Sequence, residues 1–172
     1  MPISLYSASV PVFTAMLSNL SHLLDKAEAF AAQKKIDPTA LTQYRLAPDM
    51  LPFTRQVLIA CDAAKNGIAR MSGVVAPRFD DTETTFAELK ARIQKTLDFL
   101  ATITPAQLDG RDDQELAWPV GPDKTMTLTA QDALRRMSLP NFFFHVSMAY
   151  AILRHNGVEL GKRDFLAGAA NV

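Results

Sequence analysis

The strongest constraint on this chain is a helical period that returns in four separate stretches. In residues 4–35, Leu5, Val12, Phe13, Met16, Leu17, Leu20, Leu24, Ala27 and Phe30 follow steps built from threes and fours, which puts them on one face of a helix. Thr14, Ser18, Asn19, Ser21, Asp25 and Glu28 fill the other face, and His22 falls among them as a solvated surface histidine. Pro11 predicts a kink or a late start, since it has no N–H to donate. Asp37-Pro38 and Ala47-Pro48 then bracket a short apolar piece of one or two helical turns. A second stripe over residues 50–71 runs through Leu51, Thr54, Leu58, Cys61, Lys65, Ile68 and Met71, and Gly73 is placed to cap its end.

The third stripe is Phe86, Leu89, Ile93, Leu97, Leu100 and Ile103. It is preceded by Thr85 and Glu88 at capping-box spacing, with Thr82 as an alternative cap, and is stopped by Pro105. Residues 115–120 and 124–128 alternate loosely around Gly121-Pro122-Asp123 and predict a small hairpin. Thr129, with Asp132 three residues on, starts a fourth helix to residue 156, interrupted by Pro140. The tail from Val158 carries no strong period and is expected to be mobile or docked on the bundle. Four such helices bury their stripes most simply against one another, in an all-α four-helix bundle of one domain with a β-hairpin between the third and fourth long helices.

Composition removes several functions. Lys plus Arg and Asp plus Glu are 18 each, so no basic field exists to collect nucleic acid or an anionic membrane. Zero net charge permits self-association. The single cysteine, Cys61, excludes an internal disulfide, and together with an N-terminus unlike a signal peptide it suits the cytoplasm. No apolar run is long enough to span a membrane.

The polar residues that need explaining lie on the fourth helix. Leu134, Met137, Asn141, His145, Met148, Ile152 and His155 share one stripe, which directs Asn141 and His145 at the bundle axis. Phe142, Phe143, Phe144, Val146, Ala149, Tyr150 and Leu153 clothe most of the remainder, as expected of a helix that is central or covered by another subunit. A buried amide or imidazole without a partner costs roughly 1–3 kcal/mol, so a side chain, water, a ligand or a metal must satisfy each. Cys61 on the second helix is a candidate neighbour. Asp62 beside it is either a surface charge or a partner for Arg55 or Lys65.

The stretches "LYSASVPVFTAMLSNLSHLLDKA", "LAPDMLPFTRQVLIACDAAK", "DTETTFAELKARI" and "PNFFFHVSMAYAILRHNG" resemble, in order, the DinB/YfiT-like superfamily of bacterial four-helix bundles, and most closely a branch known only as a domain of unknown function. Metal-binding members carry a His on the second helix, eight residues after a Trp, and two more spaced H-x-x-x-H on the fourth. By that resemblance Phe53 falls at the Trp, and the three-His site reads Cys61, Asn141 and His145. Three imidazoles would hold zinc or nickel with positions open for substrate, whereas Asn is a poor ligand for either ion. The expectation is a homodimeric bundle that lacks the complete site and binds a small molecule in a polar core pocket at Cys61, Asn141, His145 and Asp62. Two alternatives stay open. One is a divergent metal-dependent, thiol-handling transferase or hydrolase; the other is a redox-sensing protein acting through Cys61.

Overall fold

The structure is a computed structural model and describes residues 3–168. Helix α1 spans Val10–Lys34, α2 Pro38–Thr42, α3 Phe53–Ser72 and α4 Phe86–Ala101. A 3-10 turn at Pro105–Gln107 leads to strands β1, Glu115–Gly121, and β2, Lys124–Thr129. The short α5, Ala130–Asp132, runs through a π-helical turn at Ala133–Ser138 into α6, Leu139–His155, and α7 covers Lys162–Ala167. The four long helices α1, α3, α4 and α6 pack around one core that includes Phe13, Leu17, Leu20, Leu24, Phe53, Val57, Ile68, Leu89, Phe142 and Ile152. No helix among the described residues is long and apolar enough to cross a membrane.

Local chemistry sets most boundaries. Pro11 lies in the first turn of α1, where its missing N–H costs nothing, so the helix starts late rather than kinking. Gly73 ends α3 at φ 75°, a left-handed conformation that a Cβ would strain. Thr85 and Glu88 form the expected capping box: the Thr85 hydroxyl accepts from the Glu88 amide, and the Glu88 carboxylate accepts from the Thr85 amide. The Thr129 hydroxyl accepts from the Asp132 amide and starts α5. The hairpin pairs Trp118 with Met126 and builds a small core of its own from Trp118, Leu128 and Ala133.

The tail docks. Helix α7 lies on α1, where the Asn19 amide donates to the Phe165 carbonyl at 3.0 Å and Lys26 pairs with Asp164 at 2.9 Å. Asn19 is therefore buried, and His22 lies 3.5 Å from Asp164, not free in solvent. Burial resists ionisation of Asp164, but the Gly161 amide, Lys26 and His22 outweigh it and lower its pKa. Residues 169–172 of the tail lie outside the described residues.

Pro140 has a larger consequence than a kink. A proline ring would clash with the carbonyl four residues back in a regular helix, and the chain winds wider just before it, as the π-helical turn Ala133–Ser138. One residue added to a turn rotates every later position by about 100°. The buried face therefore runs through Leu134, Ser138, Phe142, His145, Val146, Ala149 and Ile152 rather than through Met137 and Asn141. Ser138 donates its hydroxyl to the Ala63 carbonyl of α3 at 3.2 Å. Gly67 makes this approach feasible, because a Cβ there would overlap the Ser138 hydroxyl.

Candidate functional site: a groove between helix α3, the hairpin and the start of helix α6

The four residues that sequence pattern and resemblance group together occupy three different environments. His145 is buried on α6, with 8% of its surface exposed. Its Nδ1 lies 2.7 Å from Gln56 Oε1 on α3, and the Gln56 Nε2 donates to the Leu51 carbonyl at 3.0 Å. With its NH2 end committed to Leu51, Gln56 presents only an acceptor to the ring. This network assigns the imidazole proton to Nδ1 and leaves Nε2 as an acceptor. Burial lowers the His145 pKa, so the neutral ring is favoured. Phe144 stands edge-on to the ring at 5.1 Å.

Cys61 faces elsewhere. It is fully buried, and the groups acting on its thiol are Thr96 and Arg92 of α4 together with Asp62 and Glu83. Gln56 and Cys61 are five residues apart, about 140° around α3, so the face that meets His145 is not the face that carries the thiol. Burial pushes the Cys61 pKa up to about 12, more than Thr96 and Arg92 pull it down. A thiol held protonated and out of solvent lacks the exposure and lowered pKa that the redox-sensing alternative requires.

Asp62 pairs with Lys65, one of the two partners its sequence allowed, and belongs to an ion cluster whose centre, Arg92, the sequence pattern does not reveal. Arg92, only 1% exposed, lies 3.0 Å from Asp62, 3.2 Å from Asp81 and 3.0 Å from Glu83. It also donates to the Asp80 carbonyl at 3.2 Å. Lys65 pairs with Asp62 at 3.0 Å, and Arg55 pairs with Asp81 at 2.7 Å. The Phe79 ring lies against both cations, 4.3 Å from the Lys65 ammonium and 4.6 Å from the Arg92 guanidinium. The cluster ties the 74–85 loop across α3 and α4. Burial opposes ionisation of Asp81, but Arg55 and Arg92 prevail and lower its pKa.

Asn141 is exposed, not axial, because the wide turn before it rotated the helix. It borders a groove of about 210 Å³ lined also by Ile59, Asp62, Asn66, Arg70 and Trp118. A second hollow of about 490 Å³ adjoins it across Trp118, Pro119 and Asn141 and reaches Arg136 and Met137. Asp62 and Asn141 thus meet at a surface groove, while Cys61 and His145 stay inside the helix packing, so the expected polar core pocket is divided.

The donor set does not fit a zinc or nickel site. The Cys61 thiol holds its proton, Asn141 is turned outward, and one nitrogen of His145 is committed to Gln56. Among the described residues no three His, Cys, Asp or Glu side chains gather where they could hold an ion. The carboxylates of Asp62, Asp81 and Glu83 surround a guanidinium instead.

Gln56, Arg92, Arg70 and Trp118 are not among the candidates that the sequence pattern marks. The first two carried a signal: Gln56 lies between Phe53 and Val57 on the inner face of α3, and Arg92 between Leu89 and Ile93 on that of α4. Nothing local marks Arg70 and Trp118, because only the folded hairpin brings them together.

Architecture and sequence agree on a DinB-like helical bundle, and the chain belongs to the family described as a domain of unknown function, DUF1993, whose model matches residues 5–166. It is similar to a solved structure of a DinB family member protein from Shewanella denitrificans. The two are 44% identical with a TM-score of 0.87 over 95% of this chain and 92% of that one. No curated protein matches the chain.

Proposed function

We infer that this DinB-like protein is a small-molecule-binding bundle that works without the three-ligand metal centre, and that its ligand sits in the groove beside Trp118 and Asn141. One observation carries the reading: the His145 ring at the bundle axis is taken up by Gln56 and the Arg92 guanidinium by three carboxylates, whereas the Asn141 groove keeps a concave surface of mixed polarity. A thermal-shift screen of metabolite-sized compounds tests it. Hits should raise the melting midpoint of the wild-type protein and lose that effect in Asn141→Leu, which fills an exposed position. Hits that stabilise the variant equally would place the ligand elsewhere.

The exposed face of α6 supports a homodimer. Phe144 is 53% exposed and Leu51 43%, both next to the Gln56–His145 pair, and the net charge of zero raises no long-range barrier between copies. Light scattering at dilute concentration should give twice the chain mass for the wild type and the chain mass for Phe144→Glu. A wild-type monomer removes the dimer.

A further inference from the structure

The geometry points to a carboxylate group, carried on a flat apolar body, as the chemistry that the groove recognises. This rests on the groove being the binding site and adds the class of ligand. Arg70 lies in the groove with its guanidinium 5.1 Å from the centre of the Trp118 ring. Among the described residues it has no carboxylate partner, unlike Arg55 and Arg92, which are both paired. Burial alone lowers its pKa, with no neighbouring charge acting the other way. A half-buried guanidinium stacked on an aromatic ring and without a carboxylate partner is free to take a bound anion as its complement.

Two further groups select the anion. The side-chain amides of Asn66 and Asn141 border the same groove and make no hydrogen bond within the described residues. A planar guanidinium fork with amide donors nearby matches the two coplanar oxygens of a carboxylate. A phosphate dianion suits the site less, because the Asp62 carboxylate also borders it. The Trp118 ring and Pro119 provide an apolar wall that continues into the adjoining hollow, where Met137 and Pro140 extend it. Trp118 is held there by its pairing with Met126 and by its packing with Leu128 and Ala133.

Trp118 is the only tryptophan in the chain, so its emission reports on this groove alone. Titration with benzoate, benzamide and inorganic phosphate, followed by tryptophan fluorescence, separates the outcomes. We expect benzoate to perturb the emission and to bind roughly tenfold or more tightly than benzamide, the size of a charge-assisted hydrogen bond. That preference should vanish in Arg70→Gln and survive in part in Arg70→Lys. Asn141→Ala, at an exposed position where folding is not at risk, should weaken benzoate more than benzamide. Equal binding of acid and amide to the wild type, or an undiminished preference in Arg70→Gln, overturns the carboxylate while leaving the groove as a binding site. Phosphate displacing benzoate at comparable concentration overturns the selectivity. No response to benzoate or benzamide overturns the groove reading together with this one.

Discussion

Replacing Arg92 by methionine removes a guanidinium and keeps most of its aliphatic length, which isolates the ion cluster as a source of stability. Arg92 is 1% exposed and serves three carboxylates at 3.0–3.2 Å. Two of these retain a cation after the substitution, Asp62 through Lys65 and Asp81 through Arg55, and both are about one-third exposed, so water screens what is left. Glu83 is different: its side chain is 13% exposed, and Arg92 is its only ion-pair partner among the described residues. Breaking a buried pair by removing one partner typically costs 3–5 kcal/mol, mostly through the charge left behind. The exposure of two of the three carboxylates argues for the lower end, about 3 kcal/mol, or a fall in melting midpoint of roughly 6–12 °C for a chain of this size. Urea unfolding followed by circular dichroism measures it, with an unchanged slope showing that only stability moved. Adding Glu83→Gln to Arg92→Met should recover about 1–2 kcal/mol, because the stranded charge is gone. A loss below about 1 kcal/mol, or a double variant no more stable than the single one, would show that Arg92 does not hold Glu83 as a buried pair.

Gln56→Leu should destabilise the fold by about 1–3 kcal/mol in the same assay, since it strands the Nδ1–H of a buried imidazole; pairing it with His145→Phe should restore part of the loss, and additive losses would contradict the proposed bond. Iodoacetamide should label Cys61 in native protein no faster than unfolding exposes it, and labelling within minutes would count against its burial and high pKa. Glu88, held down to about 2 from 4.5 chiefly by the Thr84 and Thr85 amides, makes a pH-dependent contribution. Its folded pKa lies below its unfolded one, so this contribution is fully present above about pH 4.5 and lost as pH falls toward 2. The urea midpoint of the wild type should therefore fall more steeply across that window than that of Glu88→Gln, and parallel curves would show the capping carboxylate to be uncoupled from folding.

The bundle is legible in the sequence because each long helix repeats its apolar step over several turns, and because caps such as Thr85 with Glu88 act within one turn of chain. The candidate site is less legible, for a local reason. A helical wheel carries its phase forward only while the helix keeps its pitch, and the wide turn at Ala133–Ser138 breaks that phase just before Asn141. Pro140 announces a disturbance but not its form, so a stripe drawn forward from Leu134 and Met137 puts Asn141 at the axis, where Phe142 stands instead. The Arg92 cluster draws Asp81 and Glu83 from a loop without periodicity, and Arg70 meets Trp118 only through the packing of the hairpin. Such long-range pairings leave no spacing to read.

Occupation of the Trp118–Asn141 groove rather than the bundle axis is read from the amide and side-chain resonances of 15N-labelled protein titrated with a cocktail of small organic fragments. A ligand in the groove should shift the Trp118 indole N–H and the side-chain amides of Asn66 and Asn141 and leave the Gln56 side-chain amide and the His145 backbone amide unmoved. Shifts centred on Gln56 and His145 would contradict it and return the site to the interior of the bundle.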